Sequence, residues 1–128
     1  MTRPWPAGTE TDRVATPVQC QHAVDHLVHR LAEVPLETRR RHAPDRSITI
    51  EVTDLGIAYV GRMAHGELID VACVPLPVNG EAQVRLALSS DDFVALADGV
   101  LTLSAAWATG KLRVDASMLD MVRLRALL

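Results

Sequence analysis

Hydrophobic and polar residues change their spacing several times along this chain of 128 residues. Over residues 17–33 the apolar positions recur every three to four residues, which predicts a helix with Thr16 as its N-cap and Pro17 in its first turn. The next segment, "PLETRRRHAPD" at residues 35–45, is predicted to be a basic connection with room for a single helical turn.

Four segments after this connection alternate apolar and polar residues with the period of two that is typical of strands. They are residues 47–54, 57–63, 67–74 and 82–88. In the first of them, Ile48, Ile50 and Val52 share the buried side of a half-buried strand. Since the connections are short, and Asn79-Gly80 is a hairpin-type turn signal, the four strands are predicted to form an antiparallel meander.

The pattern then returns to helices. A helix is predicted from Ser89, with Asp92 in capping-box spacing, to Gly99, and a second one from Thr102 to Gly110. "KLRVD" alternates again and predicts a fifth strand after a long crossover, and Ser117 is the predicted cap of a last helix. The ordered domain is therefore predicted over residues 16–128, behind a polar, flexible tail of residues 1–15.

The last helix is apolar over far more than one side. On a helical wheel, Asp120 and Arg123 form a narrow polar strip, and apolar residues cover roughly 220° of the remainder, whereas a stripe that only seals a core covers about 100°. The surplus apolar surface therefore has a second partner. Two alternatives remain open from the pattern alone: a ligand in a cavity beneath the helix, or another protein surface in a dimer.

Composition narrows the class of partner. The net charge of −3 argues against nucleic acid, which requires a basic surface. Aromatic residues make up 3% of the chain, so aliphatic side chains must fill the interior. Cys20 and Cys73 are interpreted as buried thiols in a reducing compartment. The chain shows neither a signal-peptide pattern nor a run of about 18 apolar residues, so a cytoplasmic location is expected.

Several polar groups are candidates for chemical sites. His22, His26 and His29 lie on one helix face at a spacing that could hold a metal, but that face is predicted to be exposed, and no metal site is predicted. The run at residues 38–42, "TRRRH", is interpreted as a solvated loop, with contact to anionic phosphate as the alternative. Paired carboxylates at 91–92 suit a helix N-terminus rather than acid–base chemistry. No catalytic residue and no cofactor is predicted.

At the level of motifs, "SSDDFVALADGVLTLSAAWATGKLRVDASMLDMVRL" resembles the second half of the sterol carrier protein type 2 family, the nonspecific lipid-transfer domains. The matching features are Asp91-Asp92-Phe93, a helix ending at Gly99, an aromatic at Trp107, and Gly110-Lys111-Leu112 before a strand and a last helix. "TIEVTDLGIAYVGRMAHGEL" resembles the paired early strands of that family. The resemblance extends over about residues 17–128.

This resemblance implies an α/β (α+β) fold in which helices cover one face of a five-stranded mixed sheet and enclose an apolar tunnel. It also implies noncatalytic binding or transfer of an apolar lipid: a fatty acid, a fatty acyl-CoA, a sterol or a phospholipid. A membrane or an enzyme is a candidate transient partner. From the resemblance and the phase of helix and strand, the residues expected to line the tunnel are Phe93, Leu101, Leu103, Trp107, Val114, Met118, Met121 and Val122.

Two other functions were considered. In a protein–protein interaction or dimerisation module, the last helix would pack on a partner and the cavity would be collapsed. An enzyme acting on an apolar substrate would require a polar group with a perturbed pKa inside the cavity, and the sequence points to none.

Overall fold

A computed structural model describes residues 15–42, 45–80 and 82–127. In chain order, these residues form α1 (Pro17–Glu33), α2 (Leu36–His42), β1 (Arg46–Val52), β2 (Ile57–Ala64), β3 (Glu67–Pro75), β4 (Val84–Leu88), α3 (Ser90–Ala97), α4 (Leu103–Ala108), β5 (Leu112–Asp115) and α5 (Met118–Leu127). Residues 1–14 of the predicted tail lie outside the described residues. Ala15, the last residue of that tail, is buried, and its N–H donates to the Ser90 hydroxyl at 3.0 Å.

The helix starts predicted from the sequence are confirmed. The Thr16 hydroxyl accepts the Gln19 N–H at 3.1 Å, and the Gln19 side chain accepts the Thr16 N–H at 2.8 Å, which completes a capping box. The predicted caps of the three later helices each accept an N–H of the first turn at 3.1–3.2 Å; they are Ser89, Thr102 and Ser117. The basic connection contains the seven-residue helix α2.

The mixed sheet is confirmed, but its strands are not connected as predicted. Within the described residues, five strands follow the order β3-β2-β1-β4-β5. The first three form the expected antiparallel meander. β4 does not continue that meander: it pairs with β1 in parallel, with Ile48 opposite Val84, and β5 then pairs antiparallel with β4.

The parallel pairing has a physical reason. The connection from β3 to β4 is longer than a tight hairpin, and Asn79-Gly80 forms a bend within it rather than a two-residue turn. Its neighbours Pro75 and Pro77 lack the N–H groups that would extend the ladder. On the far side of β1, β4 becomes a central strand, and four of its five residues are buried.

The core lies between the inner face of this sheet and the helices. Ile48, Ile50 and Val52 of β1 face it, as their alternation predicts. From β4, Val84, Leu86 and Leu88 face the same side. The helices contribute a second layer of apolar side chains, chiefly Cys20, Ala23, Val24, Leu27 and Leu31 from α1.

One burial prediction was wrong. Cys73 is exposed, whereas Cys20 is fully buried. The difference follows from the topology, because Cys73 lies on β3, an edge strand of the sheet with few covering residues. On α5, Asp120 lies in the narrow polar strip of the helical wheel, yet it is only 3% exposed. Its carboxylate instead accepts the Arg46 Nε–H at 3.0 Å, which turns that side of α5 toward the sheet.

Candidate functional site

An enclosed cavity of about 20 Å³ lies between the helices and the sheet. All ten residues that line it are apolar: Leu27, Leu31, Ile48, Ile50, Met63, Leu68, Leu86, Leu96, Leu103 and Leu124. This volume is close to the minimum for one water molecule, and a water there would find no polar side chain to bond. The interior is therefore dry.

The elements position these side chains through their ordinary periodicities. Leu27 and Leu31 lie one turn apart on α1 and so point to the same side. Ile48 and Ile50 lie two residues apart on β1 and point up from the sheet toward them. Leu124 of α5 closes the cavity from another helix.

A second enclosed void, of about 10 Å³, adjoins the first. The two voids share four lining residues: Leu27, Ile48, Ile50 and Leu68. The second void extends toward Tyr59 and Gly61 on β2 and Val71 on β3.

The structure distributes the eight residues expected to line a tunnel between three environments. Leu103 lines the larger void. Phe93 and Met121 are buried, and Leu101 and Val114 are partly buried against the core. Trp107, Met118 and Val122 are exposed, with 46%, 72% and 55% of their surface accessible. That these eight residues contact a lipid stays a prediction.

Most of the cavity wall comes from residues of α1 and of the inner sheet face, which were not among the predicted lining residues. The signal for them was present, because the alternation in β1 and β4 and the stripe on α1 mark these side chains as interior. The motif resemblance lies mainly in the second half of the chain, and all eight predicted lining residues therefore lie between Phe93 and Val122.

A larger cleft of about 460 Å³ lies on the opposite face of the sheet. The connection from β3 to β4 forms one wall of it, through Pro77 and Val78, and the outer sides of β1 and β2 form its floor. The buried Thr49 and the side chain of Ser47 contribute hydroxyl groups to it. Because it is open and partly polar, this cleft would desolvate a hydrocarbon chain less completely than the interior would.

The three histidines of α1 that were candidates for a metal site do not come together as one. His22, His26 and His29 are exposed, and His26 Nδ1 lies 2.9 Å from the Asp98 carboxylate. Among the described residues, no group of three or more His, Cys, Asp or Glu side chains is arranged to hold a metal ion.

The Ser90 hydroxyl also has a structural role, because it donates to the Asp54 carboxylate at 2.7 Å and accepts the Ala15 N–H. Burial, followed by the charge of Asp54, raises the pKa of the Cys20 thiol, which makes it a poor nucleophile.

Tyr59 lies at the wall of the smaller void and stacks on Phe93, with ring centroids 5.7 Å apart. Burial, with smaller contributions from the negative charges of Cys73, Cys20 and Asp25, raises the pKa of Tyr59 to about 12. Below pH 10 the phenol is neutral in both the folded and the unfolded chain, so folding stability is unaffected. Between pH 10 and 12 the unfolded chain ionises first, and folding stability falls.

This shift gives a direct prediction, because Tyr59 is the only tyrosine in the chain. We expect its phenolate absorbance to appear around pH 12 in the folded protein and around pH 10 in denaturant. The wild type should also lose roughly 2–3 kcal/mol of unfolding free energy over that interval relative to Tyr59→Phe, which has no phenol to ionise. Equal losses in the two proteins, or a native midpoint near pH 10, would contradict a desolvated Tyr59.

Within the described part of the chain, no helix combines the length and the apolar character that crossing a membrane requires.

Several solved structures share this fold. Sterol Carrier Protein 2 Like 2 from Aedes aegypti is 13% identical, with a TM-score of 0.63 over 87% of this chain and 97% of that chain. Palmitated SCP2L2 from Aedes aegypti is 15% identical, with a TM-score of 0.55 over 81% of this chain and 87% of that one. The inverting sec-alkylsulfatase Pisa1 from Pseudomonas sp. is 20% identical, with a TM-score of 0.56 over 80% of this chain and 15% of that enzyme.

At these identities the likeness shows the fold, and it confirms the predicted arrangement of a mixed sheet covered by helices. No curated protein matches the chain at a significant level of sequence similarity. The sequence profile of the SCP-2 sterol transfer family, in contrast, matches residues 25–128. This match takes in most of the chain and confirms the resemblance seen in the motifs. The chain therefore belongs to the SCP-2 sterol transfer family, whose membership implies the binding or transfer of a lipid or sterol.

Proposed function

We propose that this protein binds an apolar lipid, without catalysis, in the interior between the helices and the sheet. The observation that carries the proposal is the composition of the cavity wall: ten aliphatic or methionine side chains and no polar group. Such a wall offers nondirectional attraction, which suits ligands with long hydrocarbon segments, such as a fatty acid, a fatty acyl-CoA, a sterol or a phospholipid. Free thiols at Cys20 and Cys73 favour the cytoplasm as the place of this activity.

The described cavity is the closed form of this site, and lipid binding requires it to expand. Ligand pockets are commonly 300–1,000 Å³, far above the 20 Å³ enclosed here. The two adjoining voids mark where the packing is least complete. The wall best suited to move is α5, because its main element contact is with the short helix α2 and the Asp120–Arg46 ion pair ties it to β1 at one point. Each methylene that enters contributes about 0.8 kcal/mol, which offsets the cost of moving the wall.

Transfer or presentation of the ligand, rather than its conversion, is favoured by the absence of reactive groups from the cavity wall. The sec-alkylsulfatase with the same fold over a small part of its length is an enzyme, but a likeness at 20% identity carries only the fold to this chain. We therefore propose no reaction.

Palmitate is the probe of choice, since a relative with this fold has been described in palmitated form. We expect the delipidated protein to bind palmitate with micromolar affinity by native mass spectrometry and by fluorescence competition. Leu124→Trp fills the cavity from α5 and should weaken that affinity about tenfold or more, because the indole takes the volume that the chain would occupy. Leu119→Trp is the matched control, the same change on the same helix at a side chain that is 57% exposed, and it should bind as the wild type does.

Leu68→Phe provides a second way to fill the site, since Leu68 borders both voids and lies on a different element. Circular dichroism and the unfolding midpoint would establish that each variant is folded. Failure of the wild type to bind palmitate or any longer-chain lipid would overturn the proposal. Unchanged affinity in both Leu124→Trp and Leu68→Phe would place the ligand elsewhere, with the open cleft over Thr49 as the next candidate.

A further inference from the structure

Helix α5 turns one apolar side outward, while Met121 and Leu124 on its other side are buried. Met118, Leu119 and Val122 are 72%, 57% and 55% exposed, while Asp120 is buried and paired with Arg46. The three exposed side chains lie at positions i, i+1 and i+4, so they share one side of the helix. This apolar side is thus left without a partner within the described residues.

Helix α2 packs against α5 and adds similar features. Leu36, at its first position, is 50% exposed, and Arg41 is also exposed. Arg39 is engaged elsewhere, because its Nε–H donates to the Val34 carbonyl at 2.9 Å. The sequences of the two helices contain five arginines against two acidic residues, and one of those two is the buried Asp120.

We define the α2–α5 face by the exposed apolar side chains and arginines of these two neighbouring helices: Leu36, Arg41, Met118, Leu119, Val122 and Arg125. The acidic Glu37 of α2 is also exposed, so arginines outnumber acidic side chains here by two to one. The α2–α5 face combines large apolar side chains with arginines on a protein whose net charge is −3. This local excess of positive charge, opposite in sign to the whole chain, is complementary to an anionic surface.

The size and chemistry of this face favour one occupant. A stable dimer buries about 800 Å² on each partner, which needs some 20 or more residues a side, so four apolar side chains are too few to hold a second copy. A lipid bilayer imposes no such requirement. Apolar side chains enter the boundary between headgroups and acyl chains, and arginines remain at the level of the phosphates, where each contributes about 1 kcal/mol on an anionic membrane.

We propose that the α2–α5 face docks reversibly on anionic lipid bilayers. The inference extends the proposed function, because α5 presents Leu124 to the interior cavity and its exposed apolar residues to the outside. The helix that contacts the membrane is then also a wall of the lipid site. Docking on this side would draw α5 toward the bilayer and open the cavity where the lipid is to enter or leave.

The test is vesicle flotation of the whole protein with phosphatidylcholine alone and with phosphatidylcholine mixed with phosphatidylglycerol. We expect binding only to the mixed vesicles, and weaker binding as salt is raised. The double variant Leu119→Gln/Val122→Gln should bind the mixed vesicles at least about tenfold more weakly, because neither position then has an apolar side chain to insert into the bilayer. Arg41→Glu/Arg125→Glu should abolish binding to the mixed vesicles.

Two matched controls separate this face from the rest of the surface. Val18→Gln removes a 64% exposed apolar side chain from α1, and Arg113→Glu reverses an exposed charge on β5; both should bind vesicles as the wild type does. All four positions of the docking variants are exposed, so the fold should be retained.

Equal binding of the docking variants and the controls would overturn the proposal, as would a wild type that ignores mixed vesicles. A concentration-dependent dimer that Leu119→Gln/Val122→Gln dissolves would overturn it in favour of a second copy. Failure of docking is distinguishable from failure of the lipid site: palmitate binding is measured without vesicles, and Leu124→Trp should impair it while leaving flotation unchanged.

Discussion

Replacing Arg46 by methionine is expected to lower the free energy of unfolding by about 3 kcal/mol, because it leaves a buried carboxylate without its counter-charge. Asp120 is 3% exposed, and its Oδ2 accepts the Arg46 Nε–H at 3.0 Å. The other carboxylate oxygen, Oδ1, is buried without a hydrogen-bond partner in the described structure. Asp120 thus depends on Arg46 for most of its compensation. Urea unfolding of the wild type and of Arg46→Met measures the difference.

A double-mutant cycle separates the loss of the pair from the loss of either side chain. Asp120→Leu in the Arg46→Met background should recover most of the lost stability, since an apolar pair of similar volume replaces both charges. If the double variant is no more stable than Arg46→Met, the cost arises from the packing of the Arg46 stem rather than from an unpaired Asp120.

Truncation of Phe93 to alanine is the second large effect, with an expected loss of about 4 kcal/mol of unfolding free energy. Phe93 is fully buried and stacks on Tyr59 with an interplanar angle of 25°. It is also the only phenylalanine in the chain, and apart from Tyr59 the other buried hydrophobic side chains of the core are aliphatic or sulfur-containing. They cannot fill the volume of the ring, so the variant should retain a cavity.

Leu112→Ala serves as a reference, because Leu112 is a smaller core side chain that is 2% exposed on β5. It should cost less, about 2–3 kcal/mol. In Phe93→Ala, water that reaches the new cavity would also bring the pKa of Tyr59 down toward its ordinary value, visible in the phenolate titration. A loss below 1 kcal/mol would mean that the helix collapses onto the vacated space.

Local elements of the fold were predictable from the sequence, and long-range pairings were not. Thr16, Ser89, Thr102 and Ser117 are caps whose partners lie within one turn, so short-range spacing suffices to identify them. The parallel pairing of β1 with β4 depends on where the chain from 76 to 83 runs, and periodicity carries no information on that. For this reason the prediction that β4 continues the antiparallel meander was wrong.

The orientation of α5 shows the same limit. A helical wheel places Asp120 in a polar strip but cannot show that it is buried, because its partner Arg46 is 74 positions away in the sequence. The Arg46–Asp120 ion pair holds the polar strip of α5 against the sheet, so that Met118, Leu119 and Val122 face outward. In the site, the apolar character of the interior was predictable, but a choice of lining residues from α3–α5 alone missed Leu27, Leu31 and the inner face of the sheet.

The position of β1 in the middle of the sheet has a consequence for the order of folding. One of its edges bonds to β2, which follows immediately, but the other bonds to a strand whose register begins with Val84, opposite Ile48. During synthesis, the first three strands therefore leave the ribosome with one row of unsatisfied amides along β1. These backbone groups remain unpaired until β4 has been synthesised, and nascent chains are most prone to aggregate in this interval.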